Sequence, residues 1–201
     1  MTLKNKLGIT NQIELSKAEE RLSKQKAKKL FDSGDIEKIE VGVFAGLEFI
    51  HHYLFSDIYD FAGKLRDVNI SKGDFRFAPV MYLEASLKHI DAMPQSTFEQ
   101  IIEKYVEMNI AHPFREGNGR ATRIWLDLIL KKELHQVIDW NKIDKDEYLS
   151  AMQRSVVKDI EIKVLLEQAL TPNVDDRELF MNNIDVSYYY EGYTQFKTGE
   201  L

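Results

Sequence analysis

Apolar residues recur at three- and four-residue spacing through most of this chain, the pattern of helices that each bury one face. Ile13, Leu15, Ala18 and Leu22 share such a face, with Asn11 placed to cap the helix and Gly34 to end it. Val41, Phe44, Leu47, Ile50 and Leu54 predict a second helix. The helical period then breaks into a polar stretch from Asp60 to Phe77. Within it, Asn69-Ile70-Ser71 and Phe75-Arg76-Phe77 flank Gly73-Asp74, which predicts a small β-hairpin or flap. A helix from about Pro79 to Met93 follows. Ser96-Thr97-Phe98-Glu99 reads as a capping box. It opens a helix with Phe98, Ile101, Ile102, Tyr105 and Met108 inward, running to about Ile110. A loop from Ala111 to Asn118 leads into a helix that buries Ile124, Trp125, Leu128 and Ile129. Three more helices are expected near residues 145–154, 158–170 and 175–191, with Thr171-Pro172 before the last and Gly192 as its stop. The fold class is all-α with one small hairpin.

Composition narrows the picture. A chain of 201 residues, 44% hydrophobic, suits one domain with a sizeable core. No apolar run reaches the ~18 residues of a membrane span, and Met1-Thr2-Leu3-Lys4-Asn5-Lys6 lacks the core of a secretory signal, so no cleaved leader is expected. The absence of cysteine excludes disulfides and thiolate metal sites and fits a cytoplasmic setting. A balance of 27 basic to 33 acidic residues, net −6, argues against general affinity for nucleic acid or membrane, so any nucleotide site must be a local cluster of donors.

That cluster is His112-Pro113-Phe114-Arg115-Glu116-Gly117-Asn118-Gly119-Arg120-Ala121-Thr122-Arg123. It sits where a loop meets a helix N-terminus, whose free N–H groups and dipole attract anions. Gly117 and Gly119 permit positive φ and a backbone nest, while Asn118 adds an amide donor. Arg120 and Arg123, three apart, offer two forks for polyphosphate oxygens. Glu116 makes sense among these donors if it holds Mg²⁺ on the phosphates. His112, neutral near pH 7, can take a proton from a hydroxyl that attacks phosphorus. A lone His-Pro, Gly-Asn-Gly or arginine pair is commonplace; the conjunction in one segment is not.

The segment resembles the Fic family motif H-x-F-x-[D/E]-G-N-G-R-x-x-R at every fixed position. Tyr59-Asp60-Phe61-Ala62-Gly63-Lys64-Leu65-Arg66 is similar to the stretch before the family's flap, and Lys72-Gly73-Asp74-Phe75 to the flap itself. The resemblance covers roughly residues 35 to 195 and implies a compact all-helical domain with one hairpin. It implies protein adenylyltransferase activity: AMP moves from ATP to a Ser, Thr or Tyr hydroxyl and pyrophosphate leaves. On this resemblance His112 is the base, Glu116 the Mg²⁺ ligand, and Gly117, Asn118 and Gly119 the phosphate cradle, with Asn118 on the α-phosphate. Arg120 and Arg123 grip the outer phosphates. Residues Lys72, Gly73, Asp74 and Phe75 cover the nucleotide and align the target protein by strand addition. Doc-type toxins depart from the Gly-Asn-Gly-Arg stretch that this chain keeps, which favours AMP transfer. Small members of this class are typically bacterial and can self-associate, so a homo-oligomer is within the expectation.

Ser187-Tyr188-Tyr189-Tyr190-Glu191-Gly192 resembles the inhibitory motif [S/T]-x-x-x-E-[G/N] of autoinhibited Fic proteins. Ser187 and Glu191 share a helix face, and Glu191 is expected to pair with Arg123 where an outer phosphate belongs. The division this implies is an N-terminal helical segment 1–34, a core 35–170 and an inhibitory helix and tail 171–201. Tyr188, Tyr189 and Tyr190 are candidates to pack on adenine or to accept AMP. An alternative is de-adenylylation through Glu191, alone or as a two-way switch; a third is a silent nucleotide-binding regulator, which the intact His112 and Glu116 disfavour. His51-His52 are read as packing or surface, and Trp125 and Trp140 as core.

Overall fold

The computed structural model describes residues 2–201, so Met1 lies outside the described residues. In chain order the elements are α1 (Gln12–Asp32), α2 (Phe44–Phe55), β1 (Ser71–Lys72), β2 (Phe75–Arg76), α3 (Val80–Ala92), α4 (Phe98–Ala111), α5 (Asn118–Leu134), β3 (Val137–Ile138), α6 (Lys145–Arg154), α7 (Ile160–Gln168), β4 (Leu170–Thr171) and α8 (Arg177–Tyr190). Single 3₁₀ turns lie at Asp35–Lys38, Trp140–Lys142 and Thr198–Glu200.

The first helix starts as the sequence says. The Asn11 side chain accepts from Ile13 and Glu14 N–H groups at 2.9 and 3.1 Å, and Gly34 ends the run at φ 75°. Helix α5 is the centre of the core: Ala121, Trp125, Leu126, Ile129 and Leu130 are fully buried, and α2, α4 and α8 pack around it. The Trp125 indole donates to the Val43 carbonyl at 3.0 Å, which satisfies its one polar group. Helix α1 packs across α2 and α8. The tail after α8 returns onto α1, where Glu20 accepts from the N–H groups of Gln195 and Phe196 and Lys24 donates to the Phe196 carbonyl at 2.7 Å.

Three sequence expectations are corrected. The capping box is Thr97 with Gln100, one residue later than Ser96 with Glu99. Both pairs have the right spacing, but the Gln100 amide oxygen accepts from Ser96 and Thr97 N–H together, at 2.9 and 3.3 Å. A second antiparallel pairing, β3 with β4, joins Val137 to Thr171 and Ile138 to Leu170. Two-residue strands are too short to show alternation, and this pairing ends α7 before residue 170. Val41 lies ahead of α2, not in it. Among the described residues no helix is long and apolar enough to cross a membrane.

Candidate active site

Helix α4 ends by turning left-handed at His112, φ 49° and ψ 63°, while its N–H still donates to the Met108 carbonyl at 3.0 Å. That conformation costs an L-residue roughly 1–2 kcal/mol, so something must hold it. Arg66 does: its Nε donates to the His112 carbonyl at 2.7 Å, its Nη2 to the Ala111 carbonyl at 3.0 Å, and its backbone N–H to the Pro113 carbonyl at 2.9 Å. Phe77 from the flap stacks on the imidazole at 3.6 Å. Burial pushes the His112 pKa down to about 4; Glu191 pulls it up, and Arg66 and Lys72 push it further down. The ring is therefore neutral at pH 7. A neutral imidazole carries a lone pair on one ring nitrogen, and the neighbouring Asn109 backbone pulls the pKa partly back up.

The loop that follows is closed by its own side chains. Asn118 Oδ1 accepts from the Phe114 N–H and Asn118 Nδ2 donates to the Phe114 carbonyl, both at 2.8 Å. The amide's oxygen and one N–H thus hold the loop shut, and the residue also lines the adjoining cavity. Phe114 is fully buried and stacks on His51 at 3.8 Å. His51 Nδ1 accepts from the Gly63 N–H at 2.9 Å, so its Nε2–H is the donor to the Glu116 carbonyl at 2.7 Å. Burial pushes the His51 pKa down to about 3. Gly117 stands at φ 82°, and a Cβ there would lie 2.6 Å from the Phe55 ring. Only glycine fits at that point. The first N–H groups of α5 are thereby left facing outward from a rigid loop.

The two arginines separate in role. Arg120 is buried: it pairs with Glu19 of α1 and, through Nη2, with Glu116 Oε1 at 3.1 Å, and lies over the Phe55, Tyr188 and Tyr193 rings. Its guanidinium is thus engaged by two carboxylates, and the residue also lines the adjoining cavity. Arg123 Nε donates to Ser187 Oγ at 2.7 Å, and its Nη2 donates to the Ser187 carbonyl and to Glu191 Oε1, both at 2.9 Å. Burial works to raise the Glu191 pKa, but Arg123 and then Lys72 outweigh it and hold the carboxyl at about 2. Lys72 Nζ reaches Glu191 Oε2 from the flap at 3.6 Å. The Glu191 carboxylate sits directly over Gly119, where a Cβ would come within 2.5 Å of Oε1. Gly192, at φ 91°, closes α8 in a Schellman turn: its N–H bonds the Tyr189 carbonyl, and the Tyr193 N–H bonds the Tyr188 carbonyl.

These groups line one cavity of about 690 Å³. Flap residues Lys72, Gly73, Asp74 and Phe75 line it on one side, with His112, the segment from Glu116 to Arg120, Arg123 and Glu191 on the other. Val106, Leu149, Met152 and Val156 give it an apolar end, and the volume suits a nucleotide-sized ligand. Glu116 is half-exposed with Oε1 engaged by Arg120 and the Gly117 N–H. Among the described residues no group of three or more His, Cys, Asp or Glu could hold a metal. One carboxylate is nevertheless a sufficient protein ligand for a Mg²⁺ that also rides on phosphates.

The tyrosines are elsewhere. Tyr188 donates to Ser23 Oγ at 2.7 Å, and Tyr190 stacks on Tyr148 and donates to the Ile143 carbonyl at 2.8 Å; both are buried. Neither lines the cavity, and of the three only Tyr189 is exposed. Trp125 and Trp140 are core residues. Sequence reasoning missed Arg66, Glu19 and the loop-pinning part of His51. For the first the sequence offers only an arginine between Gly63 and Gly73; the others lie far from the loop in sequence.

Residues 45–130 match the Fic/DOC family. The chain is 28% identical over 170 residues to a probable protein adenylyltransferase y4lH of Sinorhizobium fredii, covering 79% of this chain and 85% of that one. It is 29% identical over 173 residues to the probable protein adenylyltransferase Fic of Escherichia coli, covering 79% and 82%. The crystal structure of the BepC protein, a VirB-translocated effector of Bartonella tribocorum with bound AMPPNP, has the same fold at TM-score 0.69 and 22% identity, covering 86% of this chain and 94% of that one. With its motif gathered on one cavity and these relatives alongside, the chain belongs to the Fic/DOC family.

Proposed function

We propose that the chain is a protein adenylyltransferase whose own α8 holds it inactive. The observation that carries the reading is the neutral His112 imidazole lining the same cavity as the N-terminal residues of α5. A Ser, Thr or Tyr hydroxyl of a target protein enters at the flap. His112 takes its proton, the oxygen bonds the α-phosphorus of ATP, and the bond to the bridging oxygen breaks to release pyrophosphate. The α5 N–H groups and Arg123 receive the phosphate charge. Glu116, with Oε1 fixed by Arg120, is the carboxylate that would hold Mg²⁺; when bound, the ion neutralises the departing pyrophosphate. Lys72, Gly73, Asp74 and Phe75 offer a short strand edge on which a target segment can add by backbone hydrogen bonds. A reaction that consumes ATP suits a cytoplasmic protein.

Glu191 supports the brake. It occupies Arg123 and lies over Gly119, so the phosphate that should meet Arg123 meets a carboxylate instead. On this reading residues 1–34, 35–170 and 171–201 serve as support, catalytic core and brake. The ionised Glu191 beside the loop also favours a second reading, in which it orients water to remove AMP from a modified target.

The test is transfer of α-labelled ATP, with Mg²⁺, into the chain itself and into bacterial lysate proteins. Labelling by Glu191→Gly and not by wild type or His112→Ala/Glu191→Gly is expected. Equal labelling by wild type and Glu191→Gly removes the brake. No labelling by any variant removes the transferase, and loss of label on adding wild type to modified product would establish the reverse reaction.

A further inference from the structure

We propose that Arg66 is a positioning residue for the transfer: it locks the root of the β1–β2 flap to the left-handed turn that carries His112, so that strand edge and base meet the incoming hydroxyl as one rigid pair. The proposal deepens the transferase reading and rests on it.

Arg66 is 4% exposed, and no carboxylate among the described residues forms a salt bridge with it. A buried cation without an anion is costly unless every donor is used. Its guanidinium is shared among four carbonyls on two separate segments. Nη1 donates to Val68 at 2.9 Å and Nη2 to Ala78, the residues that bracket the hairpin. Nε and Nη2 donate to His112 and Ala111, the unpaired carbonyls at the end of α4. The cation also sits at the negative end of the α4 dipole. Two further contacts follow the same line: the Ala78 N–H donates to the Ile110 carbonyl at 3.0 Å, and Phe77 stacks on the His112 ring. A planar fork can span these acceptors; an ammonium of the same charge cannot.

The geometry also places charge around the base. Arg66 from the segment before the flap and Lys72 from the flap face His112 as cations, and Glu191 from α8 faces it as an anion. Removing the Arg66 charge should raise the His112 pKa, whereas lysine should keep much of it low while losing the lock.

The experiment compares Arg66→Lys and Arg66→Met in the Glu191→Gly background. It reads transfer, affinity for a non-hydrolysable ATP analogue, amide exchange at Phe77 and Ala78, and titration of the His112 ring by NMR. The expected result is unchanged nucleotide affinity, transfer lower by about 10²-fold in both variants, faster flap exchange in both, and a raised His112 pKa in Arg66→Met alone. Unchanged transfer overturns the proposal. So does a transfer loss matched by an equal loss of nucleotide affinity with the flap amides unmoved, which is the mark of a purely structural arginine. If Glu191→Gly itself transfers nothing, the transferase reading has failed. The lock is then decided by exchange and titration alone, and no change in either overturns it.

Discussion

The sharpest demands in this molecule fall on single residues of the loop. Gly117 combines a left-handed φ with a Phe55 ring 2.6 Å from any added Cβ. Gly117→Ala should therefore destabilise by about 3 kcal/mol, from backbone strain plus overpacking, read as a lower urea midpoint. Gly119 is different, because the atom in the way is the end of the flexible Glu191 side chain. Gly119→Ala and Glu191→Gly should be non-additive by about 1 kcal/mol in a double-mutant cycle; additivity would mean that the carboxylate does not lie over Gly119. The histidines set an acid limit. His51 and His112 have folded pKa values near 3 and 4, below the ordinary value of 6.5. The unfolded chain thus binds more protons from about pH 6.5 down to those values. Stability should be full above pH 6.5 and fall by up to ~1.4 kcal/mol per pH unit for each histidine as pH drops through the window. Urea midpoints of wild type and His51→Gln across pH 4–8 test this: the variant, though weaker at pH 7, should lose less on acidification.

At the scale of elements, α8 is held at both ends. Its start is capped by Asp176, whose side chain accepts from the Leu179 N–H at 3.0 Å, and its end by the Schellman turn at Gly192. Beyond that turn the tail is bound to α1 as a tethered peptide: Glu20 takes the N–H groups of Gln195 and Phe196, Lys24 the Phe196 carbonyl, and Asp185 of α8 the Thr198 N–H and hydroxyl. Lys24 also pairs with Asp185 at 3.1 Å, so α1, α8 and tail share one polar seam. Deleting residues 194–201 should free the last turn of α8, and amide exchange from Ser187 to Glu191 should accelerate. If the brake reading holds, AMP transfer should rise with it; protection unchanged from wild type would show that α8 needs no tail.

Across the whole molecule, the site depends on a helix outside the matched residues 45–130. Glu19 of α1 receives Arg120 and the hydroxyls of Tyr59 and Tyr193 in the buried interior. Burial works to raise its pKa, yet Arg120 and these hydrogen bonds hold it below the ordinary carboxylate value. The pair links α1, the loop and the tail, and through Arg120 it steadies Glu116. Glu19→Ala leaves the Arg120 cation buried with only the Glu116 edge, and should cost about 3–5 kcal/mol. Thermal and urea unfolding would measure it, with exposed Lys38→Ala as the control expected near zero.

The local pieces of this protein were legible in the sequence because their physics is local. Helices follow from apolar spacing, the Asn11 cap and the Gly34 and Gly192 stops from side-chain and φ preferences, and the flap from Gly73-Asp74 between short runs. The loop's chemistry was legible too, since base, carboxylate, glycines and arginines lie within twelve consecutive positions from His112 to Arg123. What else they hold was not. Asn118 and Arg120 read as phosphate donors, and the structure adds that one closes the loop and the other braces Glu116 against Glu19, because a strained loop and a buried cation need partners of their own. The same holds for Arg66, His51 and the β3–β4 pairing. Each acts across tens of residues of chain, a distance over which spacing carries no information and only packing decides what touches.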